Sequence, residues 1–391
     1  MTKKRIDFYC ATFLTGGIET TLIQILRKLD RSKFRIRLII LYHTVGQETL
    51  LTTVPNDVEV KYVVGSKFLN KLRSKRLQGR LPLYLKFIEE IFLVNFRRVV
   101  FYNSIRSIIK DCDIVVDYGM CLMKWPGLFF NVRKMIYCHF SLNHLNRFNS
   151  KKNLELVKSL NTYDKVITIA DEMRDQFEGF YPNEKNKTVR IYNYIDQEHV
   201  IKRSLEGEEV SIDQQPYILS IGRLDQSQKD YLTLLKAYAI AREKYAVNMR
   251  LIILGKGRDL QRYSELCREL AIENHVDFRG FEENPFCWIK NASLFVHASF
   301  FEGLPTVVVE ALVLGKKIVA TQCETGVKEL LANGKAGYLC IVGDENELAL
   351  KIAEALNNDA SNQRILDESQ KVLKNFSMDQ TVGKLEQVLL S

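Results

Sequence analysis

The feature that most constrains the fold is a regular alternation of short apolar runs with helical patterns along the chain. In the first half, runs of strand length rich in β-branched and aromatic residues read RIDFYC, RIRLIILY, DIVVDY, KMIYCHF, KVITIA and TVRIYN. The second half repeats the pattern with YILSIG, RLIILG, HVDFRG, SLFVHAS, KIVAT and AGYLCIV. Strands that alternate with helices form parallel sheets covered on both faces, so two such sets predict an α/β protein of two doubly wound, Rossmann-like domains.

Helical patterns and a polar stretch set the expected domain limits. A helix of period 3.6 is predicted between the first two strands, and others are predicted at Asp230–Tyr245 and Leu260–Glu273. The stretch Asp196–Pro216 is rich in charge and lacks periodicity, which predicts a linker that acts as the hinge. We therefore expect an N-terminal domain over residues 1–200 and a C-terminal domain over 213–375.

Composition limits the class of protein. The chain has 391 residues, 46% of them hydrophobic, which suits a soluble protein with two cores. The N-terminal MTKKRIDFYC begins like a signal peptide, but Asp7 interrupts its apolar part, so a first strand and a cytoplasmic protein are predicted. The eight cysteines include no CxxC pair, which predicts reduced thiols and no structural metal.

Ligands of open α/β sheets bind beyond the carboxyl ends of the strands, so the cleft between the two predicted sheets is the expected site. Gly16 and Gly17 follow the first strand and precede the first helix. They either let the backbone approach a ligand at the helix N-terminus or simply form a tight turn.

Two cations flank the corresponding loop of the second domain. Arg223 and Lys229 lie in GRLDQSQKD, between a predicted strand and a predicted helix. Arg offers a planar fork and Lys a mobile charge, so together they would form a phosphate clamp. Each alone is more often an ordinary solvated surface residue.

Two carboxylates occupy an otherwise apolar stretch, EGLPTVVVE. Glu302 lies in the predicted loop, and Glu310 lies in a helix for which Pro305 suits the first position and Gly315 the residue after the end. The glutamates could instead complement the helix dipole or face solvent, although the apolar neighbours of Glu310 argue against solvent. A carboxylate pair beside a phosphate clamp suits a nucleotide sugar.

At these residues the sequence resembles the retaining glycosyltransferases of family 4, which have the GT-B fold of two Rossmann-like domains facing across a cleft. The ordered motifs are GGIE, YCHF, IYNYID, GRLDQSQKD, LGKG, RGF, EGLPTVVVE and ETGVKELLANGKAGYL. The resemblance implies that a last helix, residues 376–391, packs back on the first domain. Tyr42 to Asp111 matches no motif.

The resemblance also implies roles for individual residues. The diphosphate would be held by Arg223 and Lys229, the sugar hydroxyls by Glu302, and the ribose by Glu310. The other implied residues are His139, which would reach the sugar, Gly16 and Gly17, facing the diphosphate and the acceptor, and the donor-binding Gly303, Leu304 and Pro305.

Several assignments have alternatives. His139 could be an ordinary buried histidine, and His144 is a less favoured candidate for the same role. Thr325, Gly326 and Val327 resemble the family's donor loop, with Glu329 a less secure member. The clamp from Arg223 to Lys229 is one residue longer than the commonest family version, and Tyr194 stands where Pro or Gly is frequent.

The implied reaction is hexosyl transfer with retention of configuration, without a metal or other cofactor. We expect front-face displacement, because no carboxylate is placed as an obvious covalent nucleophile, with the leaving diphosphate stabilised by cations and a helix N-terminus. Asp111 and Asp113 look like a metal-binding Asp-x-Asp motif, but they precede their strand and are predicted to form a turn.

Two other classes of protein share some of these features. A nicotinamide-dependent oxidoreductase fits poorly, because LGKG lacks the third glycine of the dinucleotide motif. A catalytically silent GT-B subunit, which would bind a sugar or a partner glycosyltransferase, remains the main alternative to an enzyme.

The composition of residues 67–110 suggests that the acceptor is bound at a membrane surface. They contain 11 Lys and Arg against two Glu, interleaved with Phe, Tyr and Leu. That pattern favours peripheral binding to an anionic membrane over an ordinary solvated helix face, and no nucleic-acid motif accompanies it. We expect a lipid-linked saccharide acceptor, in capsule or cell-wall polysaccharide synthesis, and a UDP-sugar donor, with GDP-mannose second.

Overall fold

The computed structural model describes two compact units. Its described residues are 3–14, 16–44, 48–64, 94–123, 125, 131–143, 159–206, 215–358 and 362–391. Unit 1 comprises Met1–Ile169, Arg174–Tyr194 and Val382–Ser391, and unit 2 comprises Ala170–Met173 and Ile195–Thr381. Each unit contains one parallel sheet with helices, which confirms the predicted α/β class.

The sheet of unit 1 has the order β3-β2-β1-β4-β5-β6-β7, with every neighbouring pair parallel. Its strands are β1 (Lys4–Cys10), β2 (Phe34–Tyr42), β3 (Glu59–Val64), β4 (Ile114–Asp117), β5 (Arg133–Cys138), β6 (Lys165–Thr168) and β7 (Thr188–Arg190). Six of these were predicted. β3 was missed because its sequence, EVKYVV, mixes charges into a short edge strand whose first residues are exposed.

The sheet of unit 2 has the order β10-β9-β8-β11-β12-β13, again with parallel neighbours. Its strands are β8 (Tyr217–Ile221), β9 (Arg250–Leu254), β10 (Val276–Gly280), β11 (Leu294–His297), β12 (Ile318–Thr321) and β13 (Tyr338–Cys340). All six coincide with predicted runs. Fully buried side chains from these strands, such as Leu251 and Leu294, pack against Leu234 of the helix Tyr231–Tyr245.

Helices separate the strands. Among the described residues they are Gly17–Lys28, Val94–Ile109, Asp171–Phe180, Gln197–Ser204, Tyr231–Tyr245, Leu260–Glu269, Pro285–Asn291, Thr306–Val313, Val327–Leu330, Glu345–Asn357, Asn362–Leu373 and Lys384–Leu390. The helix from Leu260 ends four residues before the predicted Glu273. Ala271 has a left-handed φ of 53° there, and the Ile272 N–H turns back to the Cys267 carbonyl at 2.9 Å.

The predicted linker is partly helical, which corrects the expectation of an irregular segment over Asp196–Pro216. The helix Gln197–Ser204 begins after Asp196, whose carboxylate accepts the His199 N–H at 3.1 Å. Asn284 donates to the carbonyl of Arg203 at 2.9 Å, which ties the helix end to the rest of unit 2. The helix Gln197–Ser204 shows no apolar periodicity in the sequence, because most of its residues are polar and only Val200 and Ser204 are buried.

The C-terminal residues Val382–Ser391 lie in unit 1 and are held by its cations. The Arg133 guanidinium donates to the carbonyls of Val388 at 3.0 Å and Leu389 at 3.2 Å. Lys33 pairs with Glu386 at 2.9 Å. Basic side chains near helix carbonyls stabilise the helix C-terminus, so these contacts favour the helix Lys384–Leu390.

Candidate functional site

The loops that follow β8 and β11 meet because these strands are neighbours in the sheet, although β9 and β10 separate them in sequence. This is where the strand order changes direction, the point at which doubly wound sheets bind ligands. The Asp230 N–H donates to the Ala298 carbonyl at 3.0 Å, and the Phe300 N–H donates to the Gln228 carbonyl at 2.9 Å. The backbones of the two loops are therefore fixed to each other.

This arrangement brings Lys229 and Glu302 together. The Lys229 Nζ atom lies 2.5 Å from Glu302 Oε1, and the side chains are 11% and 8% exposed. Burial alone would raise the pKa of the Glu302 carboxyl, but the charge of Lys229 and a hydrogen bond from His297 hold that pKa below its usual range. Glu302 is therefore ionised at neutral pH.

His297 and Ser299 complete the surroundings of Glu302, and sequence reasoning missed both. Ser299 Oγ donates to Glu302 Oε1 at 2.7 Å, and His297 Nε2 lies 3.3 Å from the same oxygen. Burial, followed by the charge of Lys229, lowers the pKa of His297, so its ring is neutral at pH 7. The sequence feature that could have identified them is the pair of polar residues at the end of the apolar run SLFVHAS.

Arg223 does not join the buried pair directly. It is exposed, and its Nη2 donates to Gln228 Oε1 at 2.7 Å. The Gln228 amide in turn donates to Glu302 Oε2 at 3.3 Å. Gln228 thus connects the two predicted site residues, and it belongs to the loop that is one residue longer than expected.

The helix Thr306–Val313 starts beside Glu302. Pro305 is its N-cap, with φ −69° and ψ 107°, so the helix begins one residue later than predicted. Gly303 and Leu304 are buried in the preceding loop. The Thr306 and Val307 N–H groups begin the helix and have no intrahelical acceptor, so the helix N-terminus offers donors and a favourable dipole to an anion.

Glu310 lies in this helix and differs from Glu302 in having no partner in the part of the chain that the structure describes. No hydrogen bond or ion pair joins its carboxyl to another described residue. The side chain keeps some accessible surface, yet the protein around it desolvates the carboxyl and raises its pKa to about 7. A desolvated, accessible acceptor of this kind suits a ligand hydroxyl.

The predicted donor loop is hydrogen-bonded to the loop of Glu302 and packs closely against it. Thr325 Oγ1 donates to the Glu302 carbonyl at 2.5 Å. Gly326 has a φ of 77°, and a Cβ there would lie 2.3 Å from the Gly303 carbonyl oxygen, so only glycine fits. Glu329 accepts the Asp171 N–H at 2.9 Å, which gives its carboxylate a structural partner in unit 2.

In unit 1, Gly16 and Gly17 begin the first helix. Gly16 is the N-cap in an extended conformation and Gly17 is the first helical residue. A Cβ on Gly16 would lie 2.7 Å from the Glu19 carboxylate, so glycine leaves room for that side chain. The carboxylate of Glu19 also makes this helix N-terminus less favourable for a phosphate than that of Thr306–Val313.

His139 follows β5 and is held in one tautomer. Its Nε2 lies 2.8 Å from the Tyr118 carbonyl, so Nε2 carries the proton and Nδ1 is an acceptor. Burial lowers the pKa of His139 to about 4, which keeps the ring neutral. The Tyr118 hydroxyl is 2.9 Å from Thr21 Oγ1 in the helix that Gly17 begins. His144 lies outside the described residues.

The Asp-Cys-Asp sequence forms a turn before β4, as predicted. The Asp113 carboxylate accepts the Arg5 N–H at 2.7 Å, and Asp111 pairs with the Arg5 side chain at 3.4 Å. These contacts place both carboxylates at the amino end of the sheet, away from the expected ligand edge.

Residues 67–93 of the basic stretch lie outside the described residues, and the helix Val94–Ile109 represents the rest. Its exposed face carries Val99, 58% exposed, and Tyr102, 41% exposed, with Arg106 over the Tyr102 ring at 5.0 Å. Lys110 is exposed just beyond the helix. In the part of the chain that the structure describes, no helix is long and apolar enough to cross a membrane.

Comparison with known proteins links this geometry to a group of enzymes. The model of the family described as Glycosyl transferases group 1 matches residues 201–372. The N-acetylgalactosamine-N,N'-diacetylbacillosaminyl-diphospho-undecaprenol 4-alpha-N-acetylgalactosaminyltransferase of Campylobacter jejuni is 30% identical over 369 residues, 91% of each chain. The lipopolysaccharide 1,6-galactosyltransferase of Salmonella typhimurium is 26% identical over 62% of this chain and 65% of its own. The structure of Anabaena HepE with UDP and glucose has a TM-score of 0.77 at 18% identity over 99% of each chain.

Proposed function

Because the chain belongs to the Glycosyl transferases group 1 family and has the GT-B fold, we propose that this glycosyltransferase moves a hexosyl unit from a nucleotide diphosphate sugar to a lipid-linked saccharide, with retention of configuration. The observation that carries the proposal is Glu310, a desolvated carboxylate without a partner among the described residues, in the helix that starts beside the Lys229–Glu302 pair. A nucleotide sugar supplies what these groups lack: hydroxyls for the carboxylates and a diphosphate for the cations.

Each group then has a role in binding. Glu310 accepts hydrogen bonds from the ribose, and Glu302 accepts them from the transferred sugar through Oε2, the oxygen that has one weak partner among the described residues. Lys229, Arg223 and the N–H groups at the start of the helix Thr306–Val313 hold the diphosphate. Gly303, Leu304 and Pro305 shape the approach to that helix, and Gly326 holds the neighbouring loop in place.

In unit 1, we assign His139 to the sugar and Gly16 and Gly17 to the diphosphate and the acceptor. The tautomer of His139 makes Nδ1 an acceptor, so it would take a hydrogen bond from a sugar hydroxyl. A histidine with a pKa of about 4 stays neutral and is suited to orientation rather than to proton donation at neutral pH.

The reaction proceeds on one face of the sugar. The acceptor hydroxyl oxygen bonds to the anomeric carbon as the bond to the diphosphate oxygen breaks, and the hydroxyl proton passes to that departing oxygen. Glu302 is a poor covalent nucleophile, because Lys229, Ser299 and His297 surround its Oε1. The cations and the helix N-terminus stabilise the charge on the leaving group, so the proposed reaction proceeds without a metal ion.

The acceptor assignment draws on the relatives and on charge. The name of the Campylobacter relative specifies an α-linked product on a diphospho-undecaprenol saccharide, and retention from an α-linked donor would give such a product. The basic and aromatic residues within 67–110 support binding to an anionic membrane, where such acceptors lie. A UDP-hexose is the first donor candidate and GDP-mannose the second, in capsule or cell-wall polysaccharide synthesis.

A donor screen tests the proposal. The full chain is incubated with UDP-glucose, UDP-galactose, their N-acetylated amino sugars and GDP-mannose, each with a detergent-dispersed polyprenyl diphosphate saccharide and with EDTA. Mass spectrometry should show one nucleoside diphosphate released and one hexosyl unit added. Binding of UDP or GDP without turnover of any donor would indicate the silent subunit instead, and absence of binding would refute the proposed function.

A further inference from the structure

Glu302 Oε1 lies among three side chains that carry hydrogen-bond donors. Lys229 Nζ lies 2.5 Å and Ser299 Oγ 2.7 Å from it, whereas His297 Nε2 lies 3.3 Å from it and shares a 3.3 Å hydrogen bond with Ser299 Oγ. A carboxylate oxygen has two lone pairs, which Lys229 and Ser299 occupy, so the His297 N–H has no place on Oε1 while the ammonium stays.

Two of the donors are fixed and come from the same strand end as Glu302. His297 is the last residue of β11, paired with Ala320 of β12, and both His297 and Ser299 are almost completely buried. The Ser299 N–H lies 2.9 Å from Thr321 Oγ1, and the Thr321 hydroxyl lies 2.9 Å from the Ser299 carbonyl. These bonds fix the backbone from which Ser299 points to Glu302.

The third donor, Lys229, is exchangeable. It comes from the loop after β8, and its backbone is held by a bridge to Ser299, so its long side chain can turn while the loop stays in place. An ammonium group has three protons, and Glu302 is the one partner recorded for this ammonium within the described residues. The ammonium therefore has the reach and the protons to bind a diphosphate.

We propose that His297 and Ser299 are positioning residues, which keep the Glu302 carboxylate ionised and in place when the Lys229 ammonium turns to the diphosphate of the nucleotide sugar. This inference rests on the proposed function. When the ammonium leaves, Ser299 keeps one lone pair of Oε1, and the His297 N–H, 3.3 Å from Oε1, takes the lone pair that Lys229 vacates. Without them a buried carboxylate would lose its stabilisation, and Glu302 would retain Lys229 in competition with the diphosphate.

The competition is measurable as coupling between His297 and Lys229. Calorimetric titration with UDP and with GDP is carried out on the wild type, His297→Leu, Lys229→Met and the double variant. We expect His297→Leu to weaken nucleotide binding about tenfold, the size of one hydrogen bond to a charged group. In the Lys229→Met background the same change should have less than about a twofold effect, because no ammonium is left to compete.

Two further variants separate positioning from a general loss of structure. His297→Gln keeps an N–H donor near the position of Nε2 and should recover most of the binding. His275→Leu makes the same replacement before β10, at the other end of the sheet, and should bind like the wild type. If thermal unfolding shows that His297→Leu does not fold, Ser299→Ala removes the other fixed donor and replaces it in the cycle.

The outcomes are distinct. Equal losses from His297→Leu in both backgrounds, or no loss in either, would overturn the positioning role while leaving the proposed function intact. A wild-type protein that binds neither UDP nor GDP would instead remove the proposed function and this inference together.

Discussion

Lys229 and Glu302 are 73 positions apart in the sequence, yet their ammonium and carboxylate groups form a 2.5 Å contact in the interior of unit 2. The strand order produces this contact, because β8 and β11 are adjacent. The pair therefore depends on the topology of the sheet as well as on the two side chains, and it marks the part of the site where substitutions should have the largest effects.

Glu302→Gln removes the charge of the carboxylate and keeps its shape. If Glu302 contacts the reacting sugar, we expect kcat to fall by about 100-fold while KM for the nucleotide sugar changes little, since such contacts strengthen as charge develops. Steady-state kinetics with the donor identified in the screen provides the measurement. Near-normal kcat in a variant that unfolds at the wild-type temperature would show that Glu302 is structural.

Glu310→Gln should change the two kinetic constants in the opposite way, with the larger effect on KM. The ribose does not react, so this variant should mainly raise KM for the nucleotide sugar, by an amount equivalent to about 1.5–3 kcal/mol, with kcat nearly unchanged. Glu302→Gln serves as the control for this variant, because both substitutions replace a carboxylate with an amide. A fall in kcat with an unchanged KM would contradict the ribose assignment.

The pKa of about 7 at Glu310 also predicts a pH dependence. Burial raises this pKa above its value in the unfolded chain, so the ionised fraction in the folded protein grows as pH rises from 6 to 8. An ionised carboxylate accepts hydroxyl bonds more strongly, and KM for the nucleotide sugar should fall over that range. Glu310→Gln should remove the pH dependence of KM. If the variant keeps the wild-type dependence, another titratable group causes it.

Gln228→Ala should uncouple Arg223 from Glu302. The variant removes the acceptor of the Arg223 guanidinium and the donor to Glu302 Oε2, so we expect kcat to fall about tenfold with little loss of stability. Gln261→Ala is the matched control, because the Gln261 amide donates to Glu265 on an exposed helix surface, away from the candidate site. Equal kinetics for both variants would show that the connection has no role in turnover.

The Asp7–Arg37 pair predicts a purely structural effect in unit 1. Arg37 Nε and Nη2 each lie 2.6 Å from an oxygen of the Asp7 carboxylate. The Arg37 side chain is 4% exposed and that of Asp7 is 0% exposed. Asp7→Ala leaves the guanidinium buried without its counter-ion, so unit 1 should lose about 3–5 kcal/mol of stability. Urea unfolding measures the loss, and a change below about 1 kcal/mol would show that water replaces the carboxylate.

Membrane binding through residues 67–110 is tested with liposomes. At low salt the protein should sediment with vesicles that contain anionic phospholipid and not with neutral vesicles, and added salt should release it. A double change of Val99 and Tyr102 to Ser should weaken binding without altering turnover of a water-soluble acceptor. Failure to sediment with anionic vesicles at low salt would disprove this contact.

Much of the fold was predictable because buried parallel strands are nearly continuous apolar runs, as in RLIILG and SLFVHAS. The exceptions are segments in which packing outweighs local pattern. β3 carries Glu59 and Lys61 at a sheet edge, and the helix Gln197–Ser204 is polar on most of its surface. Neither presents the periodicity on which sequence reasoning depends.

The candidate site was predictable only in part. The glutamates and cations could be identified as residue types in strand-end loops, and the structure places Lys229 beside Glu302 and leaves Glu310 without a described partner. The partners of Glu302 could not be identified, because a histidine and a serine at the end of an apolar run resemble ordinary core residues. Their importance depends on the loop that lies across from them, which only the fold supplies.

Unit 1 is discontinuous, because Val382–Ser391 belongs to it although it follows unit 2 in the chain. During synthesis on the ribosome, Arg133 and Lys33 emerge long before the carbonyls of Val388 and Leu389 and the carboxylate of Glu386 that they bind. The first unit therefore cannot reach its final structure until the second has been translated. A ribosome that stalls within unit 2 would leave unit 1 incomplete and open to proteolysis, which couples the maturation of the two halves.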